Sequence, residues 1–155
     1  MKLVVGCDHR GEETAERLVE SLRERGLDMT TFFPDRGTRV TDYPDPAWLV
    51  ARAVIDGFAD LGVLICGSGV GMSIAANKIA GVRAALVQDE LSAEIARAHA
   101  DANVLCLPAD LLGQRLIEKI IDVWLRTDFE GGRHQRRLNK INAIERGEDP
   151  RTLSD

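Results

Sequence analysis

The side chains that could move protons or hold anions gather at a few points of this 155-residue chain. The densest is GVLICGSGVGMS, residues 62–73. There an apolar run ends at Cys66, and Gly67, Gly69 and Gly71 follow at alternate positions with Ser68 and Val70 between them. Glycine lets the backbone approach a ligand closely. The N–H groups that open a following helix point into the same space, and the helix dipole favours negative charge there. The loop therefore reads as an anion cradle. The same field stabilises a thiolate, which would make Cys66 a base or nucleophile near neutral pH. The competing reading is a small buried thiol that finishes a strand, and position alone leaves both open.

Three further groups qualify. CDHRGEE places Asp8 and His9 at the end of the first apolar run, where a carboxylate beside an imidazole can pass protons or simply cap a helix. His99 falls at the end of a helical stretch, where the dipole alone would stabilise its protonated form. GGRHQRRLNK, residues 131–140, is a basic patch in an acidic protein. Arg133 and Arg137 lie one turn apart on a helix and can fork onto one phosphate, whereas Arg136 points elsewhere. The loop's G-x-G-x-G pattern misses the G-x-G-x-x-G dinucleotide fingerprint, although Asp89 lies at about the distance of that motif's ribose-binding acid. It also lacks the Lys and Ser/Thr of a P-loop.

These groups need a scaffold. KLVVG at 2–6 reads as a buried strand, and Ala15, Leu18, Val19 and Leu22 recur at helical spacing up to Gly26. DMTTFF at 28–33 is a weaker strand, followed by a loop rich in Asp, Gly, Thr and Pro. Asp45–Pro46 then opens a helix striped by Ala47, Val50, Ala51, Val54 and Phe58. Strands at 61–66, 82–88 and 103–107 alternate with helices near 71–79, 92–99 and around 117–124, and a last helix runs from 133 to 146. Wholly apolar strands alternating with amphipathic helices are what a parallel sheet covered on both faces demands. The expected fold is one Rossmann-like, doubly wound α/β domain over residues 1–146, with a five-stranded, mainly parallel sheet and a C-terminal helix. The polar GEDPRTLSD, 147–155, forms a tail. In such folds ligands sit beyond the carboxyl ends of the strands, where Cys66 falls.

The composition is that of an ordinary globular protein, 45% hydrophobic and 29% charged. A formal net charge of -5 repels polyanions, so nucleic acid is not an expected partner. No apolar stretch reaches the ~20 residues of a membrane span, and no signal peptide is evident. Cys7, Cys66 and Cys106 are irregularly spaced and fit neither a disulfide framework nor a CxxC metal site, so reduced thiols in a cytoplasmic protein are expected. Cys106, within NVLCL, reads as core.

Taken together, GCDHRG, DYPDPA, LICGSGVGMSIAANKIAGVRAAL, HADANVLCL and FEGGRHQRRLNKI, in this order from about residue 3 to 141, resemble the ribose-5-phosphate isomerase B family, which also includes galactose-6-phosphate isomerase subunits. The resemblance implies an aldose–ketose isomerase of the pentose phosphate pathway that needs no metal or cofactor. It also implies a homodimer with shared active sites, able to pair into a tetramer. Chemistry would run through a cis-enediolate with Cys66 as base and the Gly67, Ser68, Gly69, Val70, Gly71 loop as anion hole, Ser68 standing where threonine is usual. By the same resemblance His99 and Asp8 open the sugar ring and Tyr43 contacts substrate. His9, Arg133, His134 and Arg137 hold the phosphate, partly from the partner chain. Two positions depart from the pattern: Ala100 replaces a substrate-contacting Asn, and Asp110 replaces a phosphate-binding Arg and would repel phosphate. The expected reaction interconverts ribose 5-phosphate and ribulose 5-phosphate. A four- or six-carbon sugar phosphate, or a non-catalytic module binding a sugar phosphate or nucleotide, stands as the alternative.

Overall fold

The computed structural model describes residues 1–34 and 40–153. Five strands, β1 (Lys2–Cys7), β2 (Asp28–Phe32), β3 (Leu61–Cys66), β4 (Ala84–Leu86) and β5 (Val104–Pro108), form one sheet in the order β2-β1-β3-β5-β4. Every pairing is parallel. Among the described residues six helices accompany them: α1 (Glu12–Glu24), α2 (Pro44–Ile55), α3 (Val70–Ala76), α4 (Glu90–Ala98), α5 (Gln114–Arg126) and α6 (Arg133–Glu145). A short 3₁₀ turn follows at Pro150–Thr152. Residues 35–39 of the expected loop and 154–155 of the expected tail lie outside the described residues.

Side-chain alternation along the strands divides the core in two. Leu3, Val5, Cys7, Val63, Ile65, Leu105 and Leu107 face α1, α4 and α5, where Leu18, Leu22, Ile117, Ile121 and Trp124 are buried against them. Val4, Leu64, Cys66, Val104 and Cys106 face α2 and α3. On that second side glycine sets the spacing. A Cβ at Gly6 or Gly62 would each meet Val50 at 2.7 Å, so α2 lies closer to β1 and β3 than side chains would permit.

Helix limits follow local chemistry, sometimes not the residue the sequence favoured. The first helical proline is Pro44 rather than Pro46, and Tyr43 is the N-cap of α2; either proline suits a first turn, and the earlier one opens the helix. Phe58 lies beyond that helix and is exposed. Asp89 caps α4 through a capping box with Ser92, its Oδ1 accepting from Ser92 N–H at 2.7 Å. The strand expected at 82–88 shortens to Ala84–Leu86, because Arg83 N–H donates instead to Asn103 Oδ1 at 2.8 Å.

Asn77, which closes α3, joins that helix to the edge strand. Its Nδ2 donates to Ser73 O and Ala84 O, and its Oδ1 accepts from Ala84 N–H, each at 2.9 Å. Asn77→Ala leaves two backbone groups of Ala84 unpaired. It is expected to lower unfolding free energy by about 0.5–1.5 kcal/mol, since water can reach the freed groups, read from urea denaturation, while β5 and the first core keep their packing.

Candidate active site

In a parallel sheet each helix returns the chain from the carboxyl edge of the strands to the amino edge. Chain direction alone therefore sorts the candidate residues into two groups.

At the carboxyl edge stand Asp8 and His9 after β1, the Cys66–Gly71 loop after β3, and Tyr43 at the head of α2. Between β1 and β3 the strand order switches direction, because β1 leads outward to β2 and the chain returns to β3 on the other side; ligands bind at such points. Cys66 is 4% exposed and its Sγ accepts the Gly69 N–H at 3.1 Å. Gly69 has φ +73°, and a Cβ there would meet Leu86 at 2.4 Å, so this position needs glycine on both counts. The N–H groups of Ser68 and Gly71 carry no hydrogen bond among the described residues, and Ser68 Oγ is exposed. The Tyr43 ring lies over Gly71, where a Cβ would come within 2.7 Å of it. Asp8 is 5% exposed; its Oδ1 accepts the Arg10 and Gly11 N–H groups at 2.9 and 3.0 Å, which fixes the turn into α1 and leaves Oδ2 without a partner among the described residues. Thr41 N–H donates to His9 Nδ1 at 3.3 Å.

The other two thiols are removed from chemistry by their surroundings. Burial, with Glu12 and Asp8 nearby, pushes the Cys7 thiol up to about 12, and complete burial raises Cys106 further. No disulfide joins the three.

At the amino edge lie His99, Glu130, Arg133, His134 and Arg137. α4 carries the chain away from Cys66 before His99 appears, and α5 does the same before α6 begins. A five- or six-residue strand separates the two edges by about 17–20 Å. His99 is held by the turn behind it. Asp101 adopts φ +44°, a conformation aspartate tolerates better than most residues, and its carboxylate is gripped by Arg83 and Arg97, each at 2.8 Å. The imidazoles of His99 and His134 stack at 4.1 Å and 8°, and Glu130 Oε2 lies 3.8 and 3.4 Å from their Nε2 atoms. Burial, with His99 and Arg133 alongside, holds His134 below the usual histidine value. Ligand atoms of His99, Glu130 and His134 come within 4.8 Å of one another, a spacing that a metal ion can span. Arg133 Nε, however, sits 3.3 Å from His134 Nε2, which disfavours a cation there. Arg133 and Arg137 are exposed one turn apart on α6.

Within one chain the carboxyl-edge group therefore does not meet the amino-edge group. Asp8 and His99, paired by resemblance, stand at opposite edges. The sequence reading passed over Arg10, and it took Asp110 for a bare carboxylate. Asp110 Oδ2 is bound by Arg10 Nε at 2.8 Å and Nη2 at 2.7 Å. Glu130 was also missed; its place in the FEGGRH run was the available signal. Ala100 contributes its carbonyl to Arg83 Nε at 3.1 Å.

Residues 3–141 match the Ribose/Galactose Isomerase family model. Ribose-5-phosphate isomerase B of Escherichia coli strain K12 is 46% identical over 147 residues, covering 93% of this chain and 96% of that protein. Among solved structures, Clostridium thermocellum ribose-5-phosphate isomerase B superposes with a TM-score of 0.92 at 41% identity, covering 95% of this chain and 99% of that one. The Mycoplasma genitalium ribose-5-phosphate isomerase B, which has ribulose-5-phosphate bound, gives a TM-score of 0.88 at 42% identity, covering 94% and 96%. No helix among the described residues is long and apolar enough to cross a membrane.

Proposed function

The chain belongs to the ribose/galactose isomerase family, and from that premise we propose that it interconverts ribose 5-phosphate and ribulose 5-phosphate through a cis-enediolate. The observation that carries the reading is Cys66, the one thiol of the three that ends a strand against a glycine loop with an N–H donated to its sulfur.

Cys66 Sγ takes the proton from the carbon next to the aldehyde of the open-chain sugar. The electron pair moves to the carbonyl oxygen, the hydroxyl proton of the deprotonated carbon passes to that oxygen across the cis-enediolate, and the thiol returns its proton to the former aldehyde carbon as the ketone forms. The oxyanion lies against the open N–H groups of Ser68 and Gly71, where one preorganised donor removes about 3–4 kcal/mol from the barrier. Val70 shapes the loop, and Tyr43 closes its outer side. Asp8 Oδ2 faces the sugar. His99, from a second copy of the chain, moves protons between ring oxygen and anomeric hydroxyl. His9 and that copy's Arg133, His134 and Arg137 hold the phosphate.

The split between edges supports a homodimer, since a two-fold axis placed between the edges sets one chain's carboxyl edge against its partner's amino edge, twice over. Exposed Trp48 on α2, Val70 and Ile74 on α3, and Ile141 and Ile144 on α6 offer apolar surface for the contact. A free thiol base suits a reducing compartment, the cytoplasm.

Turnover of ribose 5-phosphate in deuterated water tests the reaction. The product is expected to carry solvent deuterium at the carbon beside the carbonyl. A chain that binds the sugar phosphate without turnover or exchange would instead be a binding module.

A further inference from the structure

An ion pair crosses the mouth of the glycine loop at Asp110, the position where the family resemblance implies a phosphate-binding arginine. Arg10 and Asp110 are 100 positions apart in sequence. Each is anchored by its backbone to a site residue: Arg10 N–H donates to Asp8 Oδ1 at 2.9 Å, and Asp110 N–H donates to Gly67 O at 3.0 Å. The pair lies flat on Gly67, where a Cβ would come within 2.5 Å of Asp110 Oδ2 and 2.9 Å of Arg10 Nε. Both contacts from the guanidinium, through Nε and Nη2, end on the same carboxylate oxygen. Nη1 has no partner among the described residues, and the Arg10 side chain is 59% exposed.

A solvent-exposed pair of this kind adds little to stability, so folding alone does not account for it. Its position does have a chemical consequence. A bare Asp110 carboxylate beside the loop would repel a phosphate dianion, and Arg10 both cancels that charge and turns unused donors outward, next to His9. Arginine's planar fork suits a phosphate oxygen better than a point charge does.

Resting on the isomerase reading above, we propose that Arg10, held in place by Asp110, is an additional phosphate-binding residue of the substrate site and restores from the β1–α1 turn the cation that position 110 lacks. Asp110 is a positioning residue: it limits the swing of a long side chain at the rim.

The test compares wild type with Arg10→Met, Arg10→Lys, Arg10→Met/Asp110→Asn and the transposed Arg10→Asp/Asp110→Arg. The measurements are KM and kcat for ribose 5-phosphate, competitive inhibition by inorganic phosphate, and melting temperature. Arg10→Met should raise both KM and the phosphate inhibition constant by about ten- to a hundredfold, the effect of losing one hydrogen bond to a charged group, with the loss falling on KM more than on kcat. The double variant should recover part of this, because the exposed carboxylate is gone, and the transposed pair should recover most of it. Arg10→Lys should fall between wild type and Arg10→Met, and it serves if Arg10→Met does not fold. Unchanged phosphate inhibition in the folded variants, with only a lower melting temperature, would overturn the proposal and leave a structural ion pair. Calorimetric phosphate binding to wild type and Arg10→Met separates this outcome from failure of the isomerase reading. Arg10-dependent binding without turnover would sink the activity and keep the subsite, whereas turnover with Arg10-independent binding would do the reverse.

Discussion

Cys66→Ala is expected to lower kcat for ribose 5-phosphate by about 10²- to 10⁴-fold, the range of a positioned proton-transfer group, while ribose 5-phosphate still binds with nearly the wild-type dissociation constant. The sulfur makes one described polar contact, to Gly69 N–H at 3.1 Å, and its residue otherwise belongs to the apolar cluster on the α2–α3 side. Alanine there leaves the strand, the loop and the phosphate ligands in place, so a fall in kcat reports the missing base. Rapid-quench turnover and calorimetric titration of the same preparation check both halves. A variant that keeps wild-type kcat would remove Cys66 from the chemistry. The alternative thiols make poor substitutes: Cys7 is held at about 12 by burial and its acidic neighbours, and Cys106 is wholly buried in mid-strand.

The Cys66 loop was legible in the sequence because its signal is local. An apolar run that stops at a thiol followed by alternating glycines has few structural solutions, and the structure adds what crowds each glycine, Asp110 and Arg10 at Gly67, Leu86 behind Gly69 and Tyr43 over Gly71. The alternation of strand and helix also sufficed for the parallel sheet. Strand ends were harder to read. β4 is an edge strand paired on one side only, and a side-chain amide 20 positions away, Asn103, takes the N–H that would have extended it. Asp89, read from its distance to the glycines as a possible ribose-binding acid, instead starts α4 through its capping box with Ser92. The Arg10–Asp110 pair left no trace in the sequence. Arg10 alone looks like ordinary surface charge and Asp110 stood out only as an uncompensated carboxylate; only the docking of the β5 end against Gly67 brings them together.

The placement of His99 was legible in principle, and it leads to the sharpest test of assembly. One helix after a carboxyl-edge loop puts a residue at the amino edge, so His99 and Arg137 cannot reach their own chain's Cys66 without crossing the sheet. If the site is built across a two-fold axis, each of the two sites in a dimer takes Cys66 from one chain and Arg137 from the other. Two inactive variants, Cys66→Ala and Arg137→Ala, then complement when mixed. The heterodimer holds one site with both substitutions and one with neither. Equal mixing puts half of all chains in heterodimers, so recovery should approach about a quarter of wild-type activity for an isologous two-fold dimer. Mixing after unfolding and refolding, with each variant refolded alone as control, gives the measurement. Activity that stays at the level of the separate variants, in a sample whose mass confirms heterodimers, would mean that no site joins Cys66 of one chain to Arg137 of the other, and would overturn the shared-site dimer.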